Sequence, residues 1–547
     1  MKKKGKPADT PNSYRPISLL SCISKLLERM IQTRLQYWME SNGLVNANQA
    51  GFRKGHSTTD QLVRVTQTIF DAFEKPRPER AGMALLDFQK AYDRVWRPAL
   101  LAKMGRLGIP AHVIKWVHHF LSDRRARVRW GNQVSKWRVF SEGLPQGSVM
   151  APLLWLIYVN DMPQPSIPGL TMSLYADDVA LLSTGRSLQE CANSLQPALE
   201  QVHEWCKLWK VLPSQDKCVV TYFTLDPKEC GGKITPPLTF GGNALKYSAT
   251  PTFLGLTLDD QLTFSAHAEA LKERLAKRRQ CLQALAGKSY GAHRDTIRTA
   301  YIAYVRSIFD YSAAVFFSHA SPAVRKKIEA EQNKCARIIT GCIRPTNRHA
   351  LLSEAKLAPL SVRAKELAAM EMSRLRRLPT SDPCYQLVVA LPRPRLRYRA
   401  HEAWRRLCHD AEERGDPEPE LPDHDVVLQH KPCFRRTANW MLSEAGIGDV
   451  PAEPMVLTAT APPWEHHGDT VRFFLDLPIP TRRADPPDRR REAALLAIAA
   501  LPEPDISAWT DGSSCGGHKN GGGGVRIDLH RQGRTIEITT PAGSVCS

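Results

Sequence analysis

Thr171-Met-Ser-Leu-Tyr-Ala-Asp177-Asp178-Val-Ala-Leu-Leu182 sets two apolar runs on either side of adjacent aspartates. Short apolar runs broken by a polar pair predict strand, tight turn, strand. Two carboxylates at such a turn repel each other and lose hydration as the strands bury. Either a cation neutralises them or water reaches the turn. Side chains alternate faces along a strand, so Asp177 and Asp178 point apart unless the turn distorts the chain, and one of them is expected to dominate metal binding. Taken alone, the tetrapeptide is more often a solvated hairpin turn than a site.

A second acidic position changes that balance. Met83-Ala-Leu-Leu-Asp87-Phe88 reads as a buried strand ending in an aspartate, with Lys90-Ala-Tyr-Asp-Arg-Val95 entering a helix behind it. Hard cations such as Mg²⁺ take one or two protein carboxylates and complete their shell from phosphate and water. Carboxylates at the ends of two neighbouring strands therefore suit the two-metal clamp of phosphoryl transfer. The plainer alternative makes Asp87 the cap of the following helix. Between the two acidic sites lies Glu142-Gly-Leu-Pro145-Gln146-Gly147-Ser148, leading into the apolar Val149–Ile157. This turn presents Gln146 and bare backbone to a planar ligand, or serves as an ordinary turn and cap.

Working outward, the remaining sequence describes a large globular chain. It has 547 residues, 42% apolar and 24% charged, enough for about three to five domains and a sizeable core. Lys and Arg exceed Asp and Glu by 75 to 55, a net +20 that favours a polyanionic partner, with nucleic acid first among candidates. No run of 18 apolar residues occurs, and the start, Met-Lys-Lys-Lys-Gly-Lys, lacks an apolar signal segment, so the expectation is an intracellular protein without a membrane partner. The 13 Cys form no C-x-x-C pair, and His401, Cys408 and His409 lack zinc spacing, which reads as reduced thiols.

Up to about residue 260, helical periodicity alternates with short apolar runs, the pattern of an α/β or α+β domain. Ile17–Leu35 reads as an amphipathic helix with Leu20, Ile23, Leu27, Met30 and Ile31 on its buried stripe, and Pro110 opens another bearing Val113, Trp116, Val117, Phe120 and Leu121. Gly131-Asn132, between Ala126–Trp130 and Val134–Phe140, predicts a β-hairpin. Phe264 to about Arg377 reads as a separate, basic helical domain, and residues 379–504 as a Pro/Arg-rich connection of patchy order.

In this order and spacing, the Asp87 segment, Leu144-Pro-Gln-Gly-Ser148 and Tyr175-Ala-Asp-Asp178 resemble motifs A, B and C of reverse transcriptases. Asn12-Ser-Tyr-Arg-Pro-Ile-Ser-Leu-Leu20 and Asn48-Gln-Ala-Gly-Phe-Arg-Lys-Gly-His-Ser-Thr-Thr59 resemble finger motifs of the non-LTR (LINE-type) retrotransposon enzymes. Trp209–Lys217 resembles motif D, and Phe253-Leu-Gly-Leu256 resembles the primer grip. Tyr304–Tyr311 and Arg337–Gly341 resemble the thumb and post-thumb of jockey- and ingi-like lineages. The resemblance spans roughly residues 12–378.

It implies an α+β right-hand polymerase with an antiparallel palm sheet, fingers and palm over 1–258 and helical thumb and post-thumb over 259–378. Asp87, Asp177 and Asp178 would be catalytic metal carboxylates for two Mg²⁺, with Mn²⁺ as a substitute. Asp177 is expected as the direct ligand, and Asp178 as shaping the site. Tyr92 matches the aromatic gate against a ribose 2′-hydroxyl, and Gln146 the residue beside the incoming nucleotide. Arg53, with Lys54, would face the triphosphate, and Lys217 would protonate the leaving pyrophosphate. The implied partners are an RNA template, a DNA primer and deoxynucleoside triphosphates, in a ribonucleoprotein shared between nucleus and cytoplasm. Oligomeric state is not legible.

No apurinic-endonuclease-like segment precedes the finger motifs, so the chain reads as a fragment of a longer element protein. Near its end, Ser507-Ala-Trp-Thr-Asp511-Gly-Ser-Ser, with Gly524-Val-Arg-Ile527, resembles the first strands of a ribonuclease H domain, expected over 505–547 as an incomplete unit. Asp511 would be a vestigial ligand. Asp528 and Glu537 fall in its expected second and third strands, where that family places no ligand, so no cleavage of hybrid RNA is expected. Two alternatives remain open on sequence: an inactive RNA-binding remnant of a decayed element, and a maturase-like reverse transcriptase.

Overall fold

The structure is a computed structural model that describes residues 7, 9–10, 13–75, 77–287, 291–390, 395–396, 398–417, 419, 428–429, 432–448, 450–455, 479–481, 485–499, 506–515, 519–529 and 534–541. They fall into two compact units, Met1–Trp464 and Glu465–Ser547.

In the first unit, α1 (Cys22–Ser41) and α2 (Thr58–Phe73) precede the strand β1 (Arg80–Leu86). The helices α3 (Arg97–Arg106) and α4 (Ala111–Leu121) lead to four short strands, β2 (Arg125–Ala126), β3 (Arg129–Trp130), β4 (Gln133–Val134) and β5 (Arg138–Val139). Then come α5 (Ala151–Val159), β6 (Leu170–Tyr175), β7 (Asp178–Gly185), α6 (Leu188–Leu208) and β8 (Val219–Phe223). Four more short strands follow: β9 (Thr239–Phe240), β10 (Asn243–Ala244), β11 (Lys246–Tyr247) and β12 (Thr252–Phe253), with β13 (Leu256–Thr257) closing the series.

The central sheet runs β11-β8-β1-β7-β6, antiparallel throughout except for the β11–β8 edge. The fold is thus mixed α+β with an antiparallel sheet. Period two sorts the strands between two cores. Ala81, Met83, Leu85, Ala180 and Leu182 face one, while Ala84, Leu86, Val179 and Leu181 face the other beside α5 and α6. With both faces covered, β1 reads as one continuous apolar run, and that is why its end at Asp87 stood out.

The helical stretch comprises α7 (Ser265–Leu285), α8 (Arg294–Ala300), a π-wound turn at Tyr301–Arg306, α9 (Ser307–Phe316), α10 (Pro322–Thr340), α11 (Arg348–Glu354), α12 (Leu360–Leu375) and α13 (Pro383–Val389). It is not the separate domain its composition suggested. Phe264, Phe309 and Phe316 share one core with Phe70 and Phe73 of α2 and with the Met83 face of the sheet. The reason lies in α2, which buries nearly every residue and so presents apolar surface to sheet and helices together. The connection also contributes structure. Helix Phe434–Glu444 packs on α12 and α2, and its buried Arg435 reaches Asp71 at 2.5 Å and the Leu387 carbonyl.

The amphipathic reading of α1 needs correction. Ser21 caps the helix by accepting from the Ser24 N–H, so it starts at Cys22 rather than Ile17. Its buried face carries Glu28, Leu35 and Met39, while Ile23 is 82% exposed and Leu27 and Met30 are also outside. The core side of α1 was selected by one carboxylate, as described below, not by the apolar stripe.

His267 in α7 carries a pH dependence. Its Nδ1 accepts from the Thr257 N–H at 3.3 Å and its Nε2 meets the Ser312 hydroxyl at 3.3 Å, in a buried site against Phe316. Burial, with Arg274 adding, lowers its pKa from 6.5 to about 4. Below pH 6.5 the unfolded chain takes up a proton that the folded chain refuses until about pH 4. Stability present at neutral pH is therefore lost across that window, by about 3 kcal/mol. Urea midpoints of His267→Gln should lose less than wild type between pH 7 and pH 4; equal losses would contradict a neutral buried imidazole.

In the second unit, helix Pro487–Ala499 is followed by an antiparallel meander of Ile506–Cys515, Lys519–Leu529 and Arg534–Pro541. Asp511 lies on the first strand opposite Gly524, and Asp528 and Glu537 on the second and third.

Candidate active site

The deciding stretch folds as strand, two-residue turn, strand. Tyr175 pairs with Asp178 across a turn in which Ala176 takes a left-handed φ of 57°. That conformation costs a non-glycine residue about 1 kcal/mol, and buried Gln49 holds it. The Gln49 Oε1 accepts from the N–H groups of Ala176 at 2.9 Å and Gly51 at 2.8 Å. Residues 48–50 also pair with Leu174 of β6 through two backbone bonds. Gly51 has no room for a side chain: a Cβ there would lie 2.5 Å from the Ala176 nitrogen. The Asn48-Gln-Ala-Gly51 segment is thus the clamp on the aspartate turn.

Register brings the other carboxylate alongside. Leu86 pairs with Val179, so Asp87 leaves β1 next to the start of β7. Its backbone is tied to Ser214, and both its carboxylate oxygens accept from the Lys217 ammonium at 2.8 Å. Asp87 caps no helix; the turn at Ala91–Arg94 starts after Lys90. Asp87, Asp178 and Lys217 line a cleft of about 490 Å³ whose other wall is Ser248 and the segment Thr250–Gly255. That wall is the β12–β13 hairpin, turned by Leu254 and Gly255 at positive φ and held by the Tyr311 hydroxyl donating to the Leu254 carbonyl.

Burial, then Asp177 and Asp87, push the Asp178 carboxyl up to about 6, while Lys217 opposes the rise. Burial also raises Asp177, with Asp87 adding and Arg15 and Lys217 opposing. The two aspartates occupy different surroundings, as alternation required. Asp178 shares the cleft with Asp87, whereas Asp177 is felt by Tyr92, whose ionisation is suppressed by burial and then by Asp177.

The Tyr92 ring stacks on Trp155 of α5 with centroids 5.5 Å apart. Its carbonyl accepts from the Leu144 N–H at 2.7 Å, and Gly143 packs where a Cβ would sit 2.5 Å from the Asp93 carbonyl oxygen. Gln146 donates to Asp93 at 2.7 Å. The Pro-Gln-Gly turn is therefore locked onto the turn that bears Tyr92. Arg53 forks onto Glu40 of α1 at 2.8 and 3.0 Å and donates to the Gln49 carbonyl. The structure brings Asp87, Asp177, Asp178, Lys217 and Tyr92 into one region, and holds Arg53 by Glu40 and the Gln49 carbonyl.

Residues 1–258 match the family model described as reverse transcriptase (RNA-dependent DNA polymerase). They belong to the reverse transcriptase family. The chain is 36% identical over 356 residues to the probable RNA-directed DNA polymerase from transposon BS of Drosophila melanogaster, covering 63% of this chain and 38% of that protein. It is 32% identical over 385 residues to the RNA-directed DNA polymerase from mobile element jockey of Drosophila funebris, covering 69% and 41%. The chain thus spans about two fifths of the length of these relatives. Among solved structures, telomerase from Candida tropicalis superposes with a TM-score of 0.32 at 13% identity, over 67% of this chain and 56% of that one.

The carboxylates of this reverse transcriptase domain fit a divalent cation in kind. They are hard oxygens on adjoining strand ends, half-buried, and mutually repelling, a repulsion that a bound cation would relieve. Among the described residues no three His, Cys, Asp or Glu side chains are gathered closely enough to ligate a metal by themselves. Two carboxylates suffice for an ion that also binds phosphate and water, and the Lys217 ammonium already neutralises Asp87.

Sequence reasoning missed the supports of this domain. Glu28 of α1 is fully buried, and its carboxylate accepts from the Ser148 hydroxyl and from the N–H groups of Val149 and Met150 at the start of α5. A negative charge there completes the helix end and ties α1 to the Gln146 turn. Nothing in the local pattern marks Glu28, because its partners lie 120 residues away. Glu28→Ala strands the Ser148 hydroxyl and the Val149 N–H, while the Met150 N–H keeps the Ser148 oxygen, so the urea midpoint should drop by the equivalent of about 3 kcal/mol. A change below about 1 kcal/mol would show that water replaces the carboxylate.

Proposed function

We propose that this chain is an RNA-directed DNA polymerase of a non-LTR retrotransposon, copying an RNA template from a primer 3′-hydroxyl. The observation that carries the reading is the meeting of Asp87 and Asp178 with Lys217 in one cleft, walled by the β12–β13 hairpin and flanked by Asp177 and Tyr92. Asp87, Asp177 and Asp178 would hold divalent ions, which when bound would supply Lewis-acid stabilisation of the charge that develops at the phosphate.

The chain's own residues do the rest. The β12–β13 hairpin supports the primer end beside Asp178. Tyr92, braced by Trp155, packs under the sugar of the incoming deoxynucleotide, and Gln146, braced by Asp93, lies beside its base. As the primer 3′-hydroxyl gives its proton to water and its oxygen bonds to the α-phosphorus, the bond to the bridging oxygen breaks, and Lys217 donates a proton to the departing pyrophosphate. To do so Lys217 first leaves Asp87, which its 65% exposure permits. Template sequence is read by base pairing, and the basic surface supplies salt-dependent backbone contacts.

Primer extension on poly(rA) with an oligo(dT) primer tests the activity. Lys217→Gln should lower the single-turnover rate about a hundredfold with little change in nucleotide affinity, because general acids contribute roughly 10²–10⁴. A loss confined to affinity would make Lys217 a binding residue only.

A further inference from the structure

The hairpin between α4 and the Gln146 turn is used by none of the steps above. From Arg124 to Phe140 it carries six basic side chains, Arg124, Arg125, Arg127, Arg129, Lys136 and Arg138, and no acidic one. Cross-strand pairing sets Arg125 opposite Val139 and Arg129 opposite Val134, and the Arg127 guanidinium stacks on the Trp137 ring at 4.7 Å. Partners across a strand pair share a face, so Arg125 lies beside Val139 and Arg129 beside Val134, with Arg127 on Trp137 between the two pairs, where the register shifts by one residue. These apolar side chains are exposed, Trp137 by 59% and Val139 by 69%.

A two-stranded hairpin open on both sides gains little burial of its own. Solvation alone explains the arginines but not a tryptophan between two valines in water. The root is fixed: Arg97 donates to the carbonyls of Phe140, Glu142 and Gly143, and the Phe140 N–H donates to the Arg124 carbonyl. The stem thus runs directly into the turn that carries Gln146.

We propose that this face binds single-stranded nucleic acid, with Arg125, Arg127 and Arg129 following successive phosphates and Trp137 stacking on an unpaired base. Positive charge beside a flat aromatic surface suits a strand whose bases are free, since stacking is indifferent to sequence and closed to paired bases. An acidic protein surface would satisfy the arginines but leave Trp137 without a planar partner. The inference goes beyond the polymerase reading and stands without it, because binding needs neither metal nor nucleotide.

The test is fluorescence anisotropy of a labelled 20-nucleotide single-stranded RNA, the matching DNA, and the duplex, titrated with the full chain across a salt series. Arg125→Gln/Arg127→Gln/Arg129→Gln should weaken single-strand binding at least tenfold and flatten the slope of log K against log salt by about 2, the value for three phosphate contacts. Trp137→Ala should weaken it about fivefold or more with the slope unchanged. Loss on both RNA and DNA identifies a face for any single strand, and loss on RNA alone one that also reads the 2′-hydroxyl. The equal-charge control Arg489→Gln/Arg490→Gln/Arg491→Gln on helix Pro487–Ala499 should change binding by less than threefold. All these side chains are exposed, so unchanged melting temperatures certify folding. Equal loss in the control, no effect of Trp137→Ala, or equal binding of duplex would overturn the proposal, the first two leaving net charge or a protein partner as the explanation.

Discussion

Asp177→Asn should abolish primer extension, by at least about a thousandfold, while binding of the primer–template survives. The substitution keeps the size of the side chain and removes the charge that a cation needs, and losing even one neutral donor from a charge-stabilising site costs roughly 10²–10³. A second consequence separates this from misfolding. Asp177 is one of the groups that push Asp178 up to about 6, so removing it relieves repulsion in the metal-free protein. The variant should melt at or above the wild-type temperature at pH 8 without divalent ions. Extension within tenfold of wild type, or loss of extension together with a lower melting temperature, would count against a site built to hold positive charge.

Tyr92→Ala should raise ribonucleotide incorporation relative to deoxynucleotide by about a hundredfold in single-nucleotide kinetics. A pocket that rejects an added hydroxyl by bulk alone discriminates by about that factor, and removing the ring removes the bulk. The ring is half-buried against Trp155, so the same change should cost about 3 kcal/mol of stability, near the low end for aromatic truncation. Tyr92→Phe keeps the bulk and should keep the discrimination. An unmoved ratio in Tyr92→Ala would make Tyr92 a packing residue and turn attention to Phe88, which is buried beside Asp87.

The catalytic strands were legible because their patterns are local. A run of apolar residues stopping at Asp87, and two such runs stopping at Asp177-Asp178, mark strand ends whatever the tertiary context. Gly131-Asn132 was legible for the same reason: Gly131 adopts a φ of 58° that suits glycine, and the pairing of Trp130 with Gln133 follows. What failed was whatever depends on a distant partner. The face of α1 was misjudged because Glu28, not Leu27 or Met30, meets the core, through hydrogen bonds to Ser148–Met150. The helices after Phe264 looked independent because no pattern within them reveals that α2 offers a second apolar face. Arg435 and Arg436 read as a polar connection, yet they pair with Asp71 of α2 and with Glu74 just past its end. Asp93 and Trp155, which brace Gln146 and Tyr92, had no signal of their own beyond lying next to motifs that did.

The most direct measurement is primer extension by the purified chain on poly(rA) with oligo(dT) in Mg²⁺, run beside Asp87→Asn and with primer–template binding measured in parallel. The wild-type chain should synthesise DNA and the variant none, with similar binding by both. Tight binding of primer–template by the wild-type chain with no extension in either Mg²⁺ or Mn²⁺ would contradict the polymerase reading.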